Sequence, residues 1–154
     1  MGDYITINEA VANASKAAQC TFTQVPGKKI MFHGRLSDGK TIIMCTPQAK
    51  RQPGGFCWTD ITKVQYDLLN SYDHAIVVFR LEGNRLIMWD WKGLKYRLTE
   101  DCMTYNKNEG YHWKLYIYDD KVKIIGNKKE VELVYQPDIY NKHFNKAKNS
   151  FSIY

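Results

Sequence analysis

Within residues 56–91 the chain carries the unbroken apolar run Ala75-Ile76-Val77-Val78-Phe79, then the turn residues Glu82-Gly83-Asn84 and a second apolar stretch. A run of this length bounded by turn residues predicts a buried strand over 72–81, hairpinned to a strand over 86–91. Ahead of it, Ile61, Val64, Leu68 and Leu69 recur at helical spacing, Thr59 or Asp60 can cap, and Asn70-Ser71 can terminate. That pattern predicts an amphipathic helix leading into the buried strand.

The flanking segments extend this core. Thr6-Ile7-Asn8-Glu9 has capping-box spacing, and the alanine-rich run behind it, to Ala18, is a good helix former. Its larger apolar groups are few, Ile7 and Val11, so it is expected to lie close over a sheet. A short strand is predicted over 19–25. Strands over 29–36 and 40–46 are joined by Ser37-Asp38-Gly39, where Gly39 can take positive φ. The second of these, apolar on both faces, is expected to be the more central. Residues 47–55, with two prolines and two glycines, read as a loop. Beyond Trp91, alternating stretches over 112–118, 122–125 and 131–135, with turns at Asp119-Asp120 and Gly126-Asn127, predict a β-rich extension over about 92–136 that continues the sheet. A polar tail, 137–154, follows. The expected fold class is α/β (α+β). It is one domain, 1–154, with a core over about 5–91, a mixed, mainly antiparallel sheet and two main helices.

A chain of 154 residues suits one compact domain. It has no apolar run long enough for a membrane-spanning helix and no signal-like opening, so no membrane contact is expected. Cys20, Cys45, Cys57 and Cys102 form no Cys-x-x-Cys pair and have no histidine at zinc-finger spacing. Free thiols point to the cytoplasm, and no metal site is expected. With 22 basic and 16 acidic residues the net charge is +6, enough to attract polyanions by counterion release and equally the mark of a lysine-rich surface. No phosphate-binding or dinucleotide-binding glycine motif occurs, and no Ser or Cys nucleophile is placed beside His33, His74 or His112 by local spacing.

The order helix, meandering strands, helix, buried strand resembles the restriction-endonuclease-like fold of the PD-(D/E)xK nuclease superfamily. Residues 29–46, the loop to Gly55, Phe56-Cys57-Trp58 entering a helix and Tyr72-Asp73 opening a strand carry the likeness, over roughly residues 5–90. The resemblance implies acids and a lysine on the third core strand, holding Mg²⁺ and activating water. The matching strand, Thr41-Ile42-Ile43-Met44-Cys45-Thr46, has neither. The nearest substitutes are Asp38 in the hairpin turn and Gln48 and Lys50 past the strand.

These readings point to a nucleic-acid-associated protein with a nuclease-like core and no nuclease chemistry, leaning away from an enzyme. Lys28, Lys29, Lys50, Arg51 and Gln52 are expected to meet DNA or RNA. Trp89, Trp91, Trp113 and Tyr116 are expected at an interface that stacks bases or meets a protein. One alternative is a small phage or mobile-element protein that binds and inhibits a host protein. The other is an Mg²⁺-dependent nuclease using Asp38, Gln48 and Lys50; otherwise no cofactor is expected.

Overall fold

The structure is a computed structural model that describes residues 3–118 and 121–126, together with the backbone of 130–134, 144–145 and 150–151. It is an α+β fold of two stacked sheets with a helix laid on the outer side of the first. Helix α1 (Ile7–Ala18) opens with the expected capping box: Glu9 N donates to Thr6 Oγ1 and Thr6 N to Glu9 Oε1, each at 3.1 Å. Ala10, Ala14, Ala17 and Ala18 form a stripe of small residues that lets the helix settle against Ile42, Met44, Ile76, Val78 and Met88.

The first sheet takes the order β1-β2-β3-β6-β7, from β1 (Thr23–Gln24), β2 (Met31–Arg35), β3 (Thr41–Cys45), β6 (His74–Leu81) and β7 (Arg85–Asp90). Strand β3 pairs in parallel with β6, in register Ile43 to Ala75 and Cys45 to Val77; the other pairings of this sheet are antiparallel. A strand covered on both sides must be apolar on both, which is why TIIMC carries no polar alternation. Ile42 and Met44 meet α1, while Ile43 and Cys45 face the second sheet. Gly34 on β2 has a steric cause: a Cβ there would lie 2.3 Å from the Thr21 carbonyl oxygen. The β6–β7 turn places Gly83 and Asn84 at φ +84° and +55°, the left-handed pair that matches strand twist.

The second sheet takes the order β11-β10-β9-β5-β4, all antiparallel, from β4 (Lys50–Gln52), β5 (Phe56–Thr62), β9 (Gly110–Ile117), β10 (Lys121–Ile125) and β11 (Glu130–Val134), with β8 (Thr104–Asn106) on β9. Its inner face, with Cys57, Ile61, Trp113, Leu115, Ile117, Val122 and Ile124, packs on Ile43, Val77 and Phe79 of the first sheet. Helices α2 (Lys63–Leu69) and α3 (Trp91–Lys95) and one 3-10 turn (Glu100–Cys102) close the edges. Strands β12 (Phe144–Asn145) and β13 (Ser150–Phe151) pair with each other, and β13 lies near α1. No helix among the described residues is long and apolar enough to cross a membrane.

Three expectations are corrected. The helix expected from Thr59 or Asp60 begins only at Lys63, where Thr62 and Gln65 form a second capping box. Ile61 belongs to β5 and Val64 is 55% exposed, so of the expected helical stripe only Leu68 and Leu69 pack on the core from the helix. The loop expected over 47–55 is the crossing between sheets. It zips onto β6 through Arg80 N to Pro47 O (3.0 Å) and Ala49 N to Arg80 O (2.9 Å), then forms β4. The strands beyond Trp91 do not continue the first sheet but build the second around β5. The turns expected at Asp119-Asp120 and Gly126-Asn127 and most of the tail lie outside the described residues.

Candidate functional site

Strand β5 alternates cleanly: Cys57, Thr59 and Ile61 are buried, and Phe56, Trp58, Asp60 and Thr62 turn outward, half-buried. Antiparallel pairing then fixes what stands beside them. Trp58 lies between Lys50 on β4 and Tyr116 on β9, and Tyr116 is followed by Lys123 on β10 and Glu132 on β11. One row across the sheet thus reads Lys50–Trp58–Tyr116–Lys123–Glu132. Phe56 stacks on Tyr116 with ring centroids 4.5 Å apart and lies 5.5 Å from Tyr118. The ammonium groups of Lys121 and Lys123 sit 5.2 Å and 5.7 Å from the Tyr118 ring, close enough for cation–π attraction. A shallow pocket of about 160 Å³ lies between Gln52, Phe56, Trp58, Lys114 and Tyr116.

At its other end the face becomes acidic. Asp60, paired with Lys114, shares a cavity of about 270 Å³ with Gln48, Lys50, Trp58 and Glu109. Glu109 sits in the β8–β9 turn, held by Asn106: Asn106 Nδ2 donates to Glu109 Oε2 at 3.0 Å, and Asn106 Oδ1 accepts from Glu109 N at 2.7 Å. Fully buried His112 places Nε2 3.6 Å from Glu109 Oε2, and Nδ1 is 3.0 Å from the Gly110 carbonyl. Burial raises the Asp60 pKa to about 6, helped by the hydrogen bond to Glu109 and by its charge. Burial also pushes Glu109 upward, but hydrogen bonds from Asn106 and Asp60 and the charges of His112 and Lys114 outweigh it, leaving its pKa below the ordinary value.

Asp60 couples the stability of the fold to pH. Its pKa lies above the ordinary 3.8, so the folded chain keeps a proton that the unfolded chain has released. Its stabilising contribution is complete below that ordinary value and is lost as pH rises through about 6. Glu109 runs the other way, its contribution being lost on acidification. Asp60→Asn is therefore expected to be more stable than wild type at pH 7, with the advantage gone by about pH 4. Urea midpoints measured with a chelator present check this; an advantage independent of pH would contradict the assignment.

The residues expected from sequence are dispersed by the fold. Gln48 and Lys50 meet at the 270 Å³ cavity, but Asp38 lies at the opposite end of β3, across five strand residues or about 15 Å, and accepts from Lys40 N. The Asp38, Gln48, Lys50 metal set is therefore not assembled. Lys28 and Lys29 precede Ile30, which lines the same cavity. Strand alternation separates Arg51 from Lys50 and Gln52 and turns it toward Glu82, 4.0 Å away. The interface expectation is corrected at Trp89, Trp91 and Trp113, which are 4%, 2% and 1% exposed and pack in the core; only Tyr116 stands on the outer face. His33 hydrogen-bonds Tyr72 (Nδ1 to hydroxyl, 2.6 Å), while burial pushes the Cys45 thiol up to about 12, so neither is poised as half of a nucleophile pair. Phe56, Trp58, Asp60 and Glu109 escaped the sequence reading as site residues; the period-two pattern of residues 56–62 was the signal for the first three, while Glu109, in the β8–β9 turn, carried none.

Comparison with known proteins finds no family model, no curated protein and no solved structure that matches this chain.

Proposed function

We propose that the protein binds single-stranded nucleic acid on the outer face of its second sheet, without cutting it. The observation that carries this reading is the row Lys50–Trp58–Tyr116–Lys123, flanked by Phe56 and Tyr118. Aromatic faces accept any base by stacking, and lysines on neighbouring strands meet the phosphates between them, so the combination suits strands whose bases are unpaired. The acidic end of the face, Asp60 and Glu109, would confine a bound strand to the side nearer β4, where Lys50 and Gln52 stand. Three features favour a non-catalytic role: β3 lacks acid and lysine, Asp38 is remote, and Cys45 is inert. The restriction-endonuclease-like core belongs to the same proposal, supported by the succession α1, β1–β3, α2, β6; the β4–β5 ribbon interrupts that succession.

Fluorescence anisotropy with labelled oligo(dT) and oligo(rU) tests the reading. Binding should weaken with salt with a slope of about −2 to −3 in log K against log salt, as Lys50, Lys114, Lys121 and Lys123 neutralising single-strand phosphates would give. Duplex DNA should compete poorly. No binding of either oligonucleotide at low salt would remove the proposal and leave a protein partner as the reading of this face.

A further inference from the structure

The cluster at the acidic end of the face has a use the nucleic-acid reading does not supply. One ligand atom each from Asp60, Glu109 and His112 lie within 4.8 Å of one another. His112 is the decisive member, because it is completely buried and its Nε2 has no hydrogen-bond partner. The Gly110 carbonyl, 3.0 Å from Nδ1, can only accept, so Nδ1 carries the hydrogen and the nitrogen facing Glu109 is free to present its lone pair. The Asp60 Oδ1 atom is likewise buried and without a partner. An imidazole lone pair and two carboxylates thus converge at the mouth of the cavity, where a cation would satisfy all three at once.

The geometry fits a metal ion. Bonds of about 2.1 Å at tetrahedral angles set ligand atoms about 3.4 Å apart, against the observed 3.6 Å between His112 Nε2 and Glu109 Oε2. Support behind the ligands is also in place. Asp60 and His112 sit on the adjacent strands β5 and β9, the Nδ1 contact to Gly110 orients the imidazole, and Asn106 holds Glu109. We propose that Asp60, Glu109 and His112 bind one divalent first-row transition-metal cation, with its remaining positions open to the cavity that Gln48 and Lys50 line. The nitrogen donor selects such ions over Mg²⁺ and Ca²⁺, and the absence of a thiolate sets the site apart from structural zinc. The site stands on its own residues and does not depend on the sheet face binding nucleic acid.

The test is titration of metal-stripped, full-length protein with Mn²⁺ followed by electron paramagnetic resonance, and with Co²⁺ and Zn²⁺ followed by absorption and calorimetry. The expected result is one equivalent per chain, a rise in Tm on binding, and a Co²⁺ spectrum without thiolate charge-transfer bands, which excludes the four cysteines as ligands. Glu109→Gln, on an exposed turn, and Asp60→Asn should each weaken binding at least tenfold while remaining folded by circular dichroism. Three outcomes would overturn the proposal: no saturable binding of any of the three ions, binding unchanged in both variants, or ligation through sulfur.

Discussion

Trp113→Ala is expected to cost the protein ~3–5 kcal/mol of stability, the range for truncating a large aromatic side chain in a packed core. Trp113 is 1% exposed, lies 4.8 Å from the Tyr66 ring, and donates its indole N–H to the Thr99 carbonyl at 2.8 Å. Truncation leaves a cavity where the second sheet meets α2 and strips the Thr99 carbonyl of its donor. For a chain of this length the loss corresponds to a fall in Tm on the order of 10 °C. Urea unfolding followed by circular dichroism reads the effect directly. A cost below about 1 kcal/mol, the size usual for surface substitutions, would mean that Trp113 is an exposed residue after all.

The second large effect is on binding. Trp58→Ala and Tyr116→Ala should each weaken oligonucleotide affinity by about 5- to 150-fold, since stacking on one aromatic side chain contributes ~1–3 kcal/mol. Trp58 and Tyr116 are register partners, so the double variant should fall short of the product of the two single effects. Both rings are half-buried on the outer face, so stability should change little beside Trp113→Ala. Tyr105→Ala is the control. Tyr105 is 61% exposed but pairs with Tyr111, whose place on β9 points it to the opposite side of the sheet from Tyr116, so its loss should leave affinity unchanged. Equal losses at Tyr105 and Trp58 would indicate nonspecific attraction to exposed aromatics.

Local chemistry made part of this fold legible. Thr6 and Glu9 announced the first helix, and the apolar runs 41–45 and 75–79 announced two central strands, because capping and two-sided burial leave their marks within a few residues. Residues 56–62 misled because Ile61 fits both a period of two and, with Val64, Leu68 and Leu69, a period near 3.6; the β-branched and aromatic content of FCWTDIT favours the strand. The site was largely illegible. It depends on β5 finding β9 some fifty residues later, and a long-range pairing has no local signature. The same ignorance of partners made Trp89, Trp91 and Trp113 look like surface aromatics, when packing two sheets face to face consumes them.

Intrinsic tryptophan fluorescence tests the central claim most directly. Trp89, Trp91 and Trp113 are buried, so of the four tryptophans only Trp58 stands where a base can stack on it. Titration with unlabelled oligo(dT) at low salt should quench the emission saturably. In Trp58→Phe the quench should vanish, while anisotropy of a labelled strand still reports binding within a few-fold of wild type. An undiminished quench in Trp58→Phe, or none in the wild-type protein at saturating oligonucleotide, would contradict the assignment of the second sheet's outer face as the binding surface.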